Sequence, residues 1–506
     1  MKSMLFIYPD FGGSSLDFSP AIEILSAVLK SKGVQVSLLH LHQKYGVPMD
    51  YDVIYSQVAD KNYDVIGVTS TTYQYQVSNQ IVGELKKRGI KSLFILGGIH
   101  ATIAPDDLET SNFDGFCIGE GEISLSELFR RLESGEDIYS IKGFYFKCGD
   151  KIIRNEKSAA VKNLDDLPFR DYEIMNTKKL LGLRNKWFSI AFSRGCTFSC
   201  NFCINQKLRA LFKETNDFGY YRCNSVDRAI EELMYNVEKY HEEIDVINLD
   251  DDLLIADKKW FASFAKQYKE KIYEPYGIKY AINGRANLIN EDLVKQLKES
   301  GCDLVRIGFE TGSEKMRNLV LAKEITDEQL KFAFSLFHKY NLRAQAFCMI
   351  GIPGETKDTI QASIDMLQEL KPDLIRMAIF EPFIGTPMYY YCVEHDLLLN
   401  SKDMPTNSFS NSNIRFENLT HEELIKYELL FPWYMNFSMD NKYSDEYKSL
   451  IEKYEKVINC NDSIDLIKKE ILEVDKRMSN KVEMEKITHY RYFQNNNYYY
   501  QLYKDN

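Results

Sequence analysis

Between residues 4 and 135, short apolar runs alternate with amphipathic stretches. The runs at 5–8, 34–41, 65–70, 92–96 and 115–118 read as strands, and 20–32 and 77–88 read as helices. Strict alternation of strand and helix predicts a parallel sheet with right-handed crossovers, which binds ligands at the carboxyl ends of its strands. Those ends carry Pro9-Asp10-Phe11-Gly12-Gly13, Thr69-Ser70-Thr71-Thr72-Tyr73, Gly97-Gly98-Ile99-His100 and Gly119-Glu120-Gly121-Glu122. Residues 142–156 predict a hairpin around Gly149-Asp150, and 163–174 a connector. The alternation then returns for six more units, with strands near 188–193, 244–249, 278–283, 303–309, 344–350 and 374–380. Helical stretches at 225–240, 291–300, 326–340 and 357–370 lie between them. Six parallel units make a partial (β/α)6 barrel, smaller than the closed eight-unit one. After 390, helix-like segments such as 421–430 and 445–458 dominate, and the chain ends in an aromatic, Asn-rich stretch at 490–500. For that ending three readings stay open: closing over a site, packing on the barrel, or a poorly ordered tail. The expected class is α/β: a doubly wound parallel-sheet domain over 1–140, a hairpin and linker over 141–186, the barrel over 187–390, and a mainly helical region over 391–506.

Composition narrows the function. The chain has 506 residues, 63 Lys plus Arg against 74 Asp plus Glu, and a formal charge of −11. A 44% hydrophobic and 27% charged content fits globular domains, and the acidic balance disfavours wrapping a nucleic-acid backbone. No apolar run is long enough to span a membrane, and the start, Met1-Lys2-Ser3-Met4-Leu5, runs into a buried first strand instead of a leader. A cytoplasmic protein is expected. Of the ten cysteines, six are scattered at 117, 148, 302, 348, 392 and 460, three crowd into 196–203, and Cys223 follows. That distribution points to local ligation, not to a disulfide framework.

The crowded stretch is Ser193-Arg194-Gly195-Cys196-Thr197-Phe198-Ser199-Cys200-Asn201-Phe202-Cys203, three thiols spaced C-x3-C-x2-C just after a predicted strand. Thiolates are the protein ligands of iron–sulfur clusters, and three of them leave one iron of a [4Fe–4S] cluster open to a further ligand. The alternatives are a zinc site, inert buried thiols, or Cys223 closing the set as a fourth ligand.

At these residues the chain resembles the radical S-adenosylmethionine (SAM) superfamily, whose C-x3-C-x-aromatic-C motif matches Cys196, Cys200, Phe202 and Cys203. The resemblance implies that those cysteines hold a [4Fe–4S] cluster, that SAM chelates its open iron, and that reductive cleavage releases a 5′-deoxyadenosyl radical. It also implies SAM contacts from strand ends: Asp251 near the amino group, Arg285 near the carboxylate, Glu310 facing SAM or substrate, and Gly351 and Pro353 beside the adenine. Glu310 and Arg285 are then the candidate catalytic residues. Singly, an acid or arginine at a strand end is more often a cap or an ion pair; their succession along one barrel rim favours a site.

The first 135 residues resemble the cobalamin-binding, Rossmann-like domain that precedes the barrel in one branch of that superfamily. The residues carrying the likeness are Thr69, Ser70, Thr71, Gly97, Gly98, His100, Gly119 and Glu120. It implies Gly97-Gly98 beside the nucleotide tail and 69–73 beneath the corrin. The Asp-x-His-x-x-Gly loop that supplies an axial imidazole in many cobalamin proteins is missing. His100 is expected to be structural or to touch the tail, and His40 and His42 to lie at the surface. The function implied is a cobalamin-dependent radical SAM enzyme that methylates an unactivated carbon of a small-molecule or peptide intermediate. The alternative keeps the cofactors and rearranges or cyclises the substrate; tRNA modification and a non-enzymatic iron–sulfur protein rank lower. An external electron donor of flavodoxin or ferredoxin type is implied as a partner.

Overall fold

The computed structural model describes residues 2–11, 16–399, 412–437, 439, 442–459, 464–494 and 497–501. Gly12 and Gly13 of the first strand end, Cys460, and Asn495 and Asn496 of the Asn-rich ending lie outside the described residues. The chain divides into two compact units, one of residues 1–198 and 204–280, the other of 199–203 and 281–506.

The first unit opens with β1 (Ser3–Pro9), α1 (Pro20–Ser31), β2 (Gln35–Leu41), α2 (Tyr51–Val58), β3 (Val65–Thr69), α3 (Thr72–Lys87), β4 (Leu93–Gly97), α4 (Ile99–Ile103), β5 (Gly115–Cys117) and α5 (Gly121–Ser134). The hairpin β6 (Phe144–Cys148) and β7 (Lys151–Arg154) follows. The sheet order is β2-β1-β3-β4-β5-β6-β7, parallel through β5 and antiparallel in the hairpin. Period-two alternation divides β1 between two cores. Leu5 and Ile7 pack with Ile54, Val82 and Phe94, while Met4 and Phe6 pack with Ile22, Leu125 and Phe129 of α1 and α5. Local chemistry sets the helix starts: Pro20 begins α1, and a capping box between Thr71 and Gln74 begins α3.

The same unit continues through α6 (Thr177–Leu183), β8 (Trp187–Ile190), β9 (Ser193–Arg194), α7 (Ile204–Lys213), β10 (Arg222–Cys223), α8 (Val226–Tyr240), β11 (Val246–Leu249), α9 (Lys258–Tyr268) and the short α10 (Glu274–Tyr276). β8 pairs in parallel with β11, and β9 in antiparallel with β10. A buried polar seam lies inside this unit. Arg170 pairs with Glu232 at 2.9 Å, Arg184 with Asp17 at 2.7 Å, and His40 with Asp10 at 2.8 Å. His40 is therefore not a surface residue as its sequence position suggested; it is buried with its ring against Tyr8 and Tyr45.

β12 (Lys279–Gly284) begins in the first unit and runs into the second. The second unit then holds α11 (Glu291–Glu299), β13 (Cys302–Glu310), α12 (Asp327–Lys339), β14 (Arg343–Ile350), α13 (Lys357–Leu370), β15 (Leu374–Ile379) and α14 (Pro387–Glu394). β13, β14 and β15 are parallel neighbours. The six barrel strands expected from sequence are all present, and the class is α/β with a partial barrel. Three helices follow, α15 (His421–Phe437), α16 (Ser444–Asn459) and α17 (Ile464–Met484), packed around Trp433, Tyr447, Tyr454 and Ile471. The aromatic ending forms two further strands, β16 (His489–Gln494) and β17 (Asn497–Gln501), and β17 joins β15 in antiparallel register.

Candidate functional site

At the carboxyl ends of β3, β4 and β5 a cavity of about 310 Å³ opens between the sheet and helices α1 and α5. Thr69, Gly97, Gly98, Gly119 and Glu120 line its mouth, and Met4, Phe6 and Gly67 lie in its wall. Gly98 has φ +90°, and a Cβ there would stand 2.8 Å from the carbonyl oxygen of Ser70 and 2.9 Å from its nitrogen. Only glycine lets the β4 turn close against β3 at this point. Ser70 donates its N–H to Gly97 O at 3.1 Å, and its hydroxyl meets Ser78 Oγ at 2.6 Å. Thr71 caps α3, and Gly119 N donates to Thr102 Oγ1 at 3.0 Å. An apolar cradle between sheet and helices with a glycine-floored mouth fits the nucleotide tail of a cobalamin. The structure places His100 elsewhere: its ring is buried, stacked on Tyr75 with centroids 3.8 Å apart and Nε2 3.1 Å from Asp107 Oδ2.

Glu120 lines the cavity, yet its carboxylate is already engaged. Arg222 and Arg194 both pair with it, and the Val161 N–H donates to it at 3.2 Å. Burial by itself would raise this carboxyl; the hydrogen bond from Arg222 and the charges of Arg194 and Arg222 hold it below the usual carboxylate range.

Cys196, Cys200 and Cys203 sit in the loop between β9 and α7; Cys200 is buried and the other two are half-buried. Arg209 donates to the carbonyl oxygens of Cys196 and Phe198. Cys203 N donates to Cys200 O at 3.1 Å, and Asn201 N to Leu321 O at 2.9 Å. The buried guanidinium of Arg285 lies 3.5 Å from Cys200 Sγ and donates to it. Among the described residues, no three His, Cys, Asp or Glu side chains converge on a point where one metal ion would sit. A cluster assigns each thiolate its own iron, and a set of three thiols on one loop suits that chemistry. Burial, and then the charges of Asp251 and Asp257, push the thiol of Cys223 on β10 up. That environment opposes the ionisation a fourth ligand requires.

Asp251, just beyond β11, is buried and accepts from Phe192 N at 2.9 Å, Ser193 N at 2.5 Å and Ser193 Oγ at 2.5 Å. Burial pushes its carboxyl up to about 6 against the pull of those donors. These bonds give Asp251 a definite task, fixing the segment that leads into the cysteine loop.

In the second unit, Glu310 closes β13 at φ +64°, beside a bulge opposite Cys348. Its carboxylate pairs with Lys323 in a site where both side chains are only 9% exposed. Lys323 Nζ also stands 5.8 Å from the ring centroid of Phe202, which packs on Met316, Leu321, Ile352 and Phe380. A Cβ on Gly308 would collide with both members of the ion pair. The Gly351-Ile352-Pro353-Gly354 turn is clamped by Glu355, which accepts from Gly351 N at 2.5 Å and Ile352 N at 3.3 Å. Burial pushes Glu355 up to about 8. Sequence reading missed Lys323 as well as Glu381 beyond β15. The latter is buried, accepts from Asn413 N at 2.8 Å, and is pushed by burial to about 7. Lys323 had no available signal: its left-handed neighbours are Ala322 and Glu324, where a glycine would have marked the turn.

With this geometry in hand, comparison with known proteins is direct. The B12 binding domain family matches residues 18–129, and the radical SAM superfamily matches residues 190–367. Together they take in more than half of the chain, which belongs to the radical SAM enzymes that carry a cobalamin-binding domain. Its cofactors are those of that family: a [4Fe–4S] cluster, SAM and cobalamin. An uncharacterized methyltransferase of Pyrococcus horikoshii is 28% identical over 339 residues, 66% of this chain and 71% of that one. An anaerobic magnesium-protoporphyrin IX monomethyl ester cyclase of Cereibacter sphaeroides is 24% identical over 402 residues, 76% of this chain and 63% of that one. Among solved structures, the cobalamin-dependent SAM radical enzyme OxsB superposes with a TM-score of 0.66 at 14% identity, covering 96% of this chain and 76% of that one. Among the described residues no helix is long and apolar enough to cross a membrane.

Proposed function

We propose that this enzyme transfers a methyl group to an unactivated carbon of a small-molecule or peptide intermediate in the cytoplasm. When bound, the cofactors would supply a 5′-deoxyadenosyl radical for hydrogen abstraction and a methyl group for the carbon so exposed. Per turnover two SAM and two electrons convert a substrate C–H to C–CH3, giving S-adenosylhomocysteine, methionine and 5′-deoxyadenosine; a flavodoxin- or ferredoxin-type donor supplies the electrons. The chain's own residues bind, orient and exclude water. Arg285 places a positive charge against Cys200, Glu310 and Lys323 form a buried polar pair beside Phe202, and Glu355 holds the turn at 351–354.

One observation carries the reading. Within a single unit, the cavity suited to cobalamin is walled partly by Ser193 and Arg194, immediately ahead of Cys196. Two cofactors that must act on one substrate are thus served by adjoining residues. The methyltransferase relative supports methyl transfer, and the cyclase relative supports ring closure as the second reading. Product counting separates them: S-adenosylhomocysteine with 5′-deoxyadenosine in equal amounts is expected. 5′-Deoxyadenosine alone, from cobalamin-loaded enzyme turning over its substrate, replaces methyl transfer by cyclisation or rearrangement.

A further inference from the structure

We propose that Arg194 is a positioning residue that couples occupancy of the cobalamin cavity to the cluster-bearing loop. The inference rests on the functional reading above and adds a route by which one cofactor's site senses the other. The turn after β5 carries Glu120 and the first turn of α5 carries Glu122, both among the residues lining the cavity. Arg194 reaches both, with Nη1 2.8 Å from Glu120 Oε2 and Nη2 2.5 Å from Glu122 Oε1. The β9–β10 register sets Arg222 opposite Arg194, and Arg222 binds the same Glu120 and the carbonyl of Val161 at 2.5 Å. Two guanidinium groups therefore balance two carboxylates, with Arg222 and Glu122 buried and Arg194 and Glu120 half-buried. Removing one leaves a buried charge without its partner.

Little slack separates that guanidinium from the first cluster ligand. Gly195, the one residue between Arg194 and Cys196, has φ +87°, and a Cβ there would lie 2.8 Å from the Tyr220 ring and 2.9 Å from its carbonyl oxygen. Beyond it, Arg209 pins the carbonyl of Cys196. A shift of Arg194 is thus passed to Cys196 instead of being absorbed by a flexible link. At the other end, Glu122 is buried and its Oε2 has no hydrogen-bond partner among the described residues. Cobalamin is fringed with amide N–H donors. A donor bonded to Glu122 draws that carboxylate away from Arg194 and alters the restraint on the loop. A purely architectural ion pair would need neither the unpartnered buried oxygen of Glu122 nor the tight link to Cys196.

Coupling of this kind is reciprocal and is measurable without substrate. The full-length protein, reconstituted anaerobically with its cluster, is exposed to bathophenanthroline with and without hydroxocobalamin, and the rate of iron release is followed. In the wild type, cobalamin should slow iron loss by about fivefold or more. Arg194→Gln should still bind both cofactors but lose most of that protection, and Arg194→Lys should recover part of it. Glu122→Gln, which spares the pair between Arg194 and Glu120, should lose protection too and replaces Arg194→Gln if that variant fails to fold. Full protection in Arg194→Gln, or in Glu122→Gln if it stands in, overturns the inference and leaves the functional reading intact, as does absence of protection in a wild type that binds both cofactors. A wild type that retains no cobalamin through gel filtration overturns the functional reading, and the coupling with it.

Discussion

Lys323 and Glu310 form the most demanding contact in the second unit, an ion pair almost without water, seated where Gly308 leaves room for it. Losing the ammonium leaves a carboxylate stranded, so Lys323→Met should keep the iron and sulfide of the wild type while SAM cleavage to 5′-deoxyadenosine falls about tenfold or more, as measured by product chromatography. Glu310→Ala should follow the same pattern; unchanged turnover would remove the pair from the site. Replacing Cys196, Cys200 and Cys203 by Ala should instead abolish cluster absorption and SAM cleavage together. What was legible at this scale follows a physical divide. The cysteines announce themselves because ligand spacing on one loop is a local property, and Gly98 because close approach of the backbone at Ser70 excludes a side chain. Lys323, Arg222 and the burial of His40 depend on partners 13, 102 and 30 residues away, and no short motif records such a pairing.

Among the elements, strands and helices with strong periodicity emerge from sequence within a few residues of their observed limits, as β14 over Arg343–Ile350 and α13 over Lys357–Leu370 show. The two-residue strands β9 and β10 are too short to carry a period. α17 falls inside the mainly helical region expected over 391–506 without being singled out, and the hairpin of β16 and β17 was hidden for another reason. Its tyrosines and asparagines lack clean alternation, and its partner β15 lies more than a hundred residues earlier. Asn436 of α15 holds this hairpin from the side, donating to Tyr490 O at 2.7 Å and accepting from Tyr490 N at 2.6 Å, both bonds buried. Asn436→Ala strands both backbone groups and should cost about 1–3 kcal/mol in chemical denaturation. A smaller loss would mean that water replaces the amide.

For the molecule as a whole, the buried acids set a pH dependence of stability. Glu23 is fully buried, neither of its oxygens has a hydrogen-bond partner among the described residues, and burial raises it from 4.5 to about 8 despite Arg170; Asp17 and Glu232 add to the rise. The folded chain thus holds a proton that the unfolded chain releases above about 4.5. Its contribution to stability is fully present below that value and is lost as pH rises towards about 8. Glu23→Gln stays neutral throughout. Relative to the wild type it should gain melting temperature progressively between pH 5 and pH 8.5, the ordinary range for such a titration here; parallel curves would place an ionised, compensated Glu23 in the fold.

The ribbon appended to β15 also limits how a partner chain can approach. β17 occupies the hydrogen-bonding edge of β15, and β16 outside it is fastened to the helices through Tyr492 N, which donates to Asp475 Oδ2 at 3.1 Å. Over Leu374–Arg376 an added peptide strand therefore finds no vacant rim on β15. A peptide approaching along that stretch would have to be recognised by its side chains and termini, which makes selectivity there a matter of pocket chemistry more than of backbone zippering.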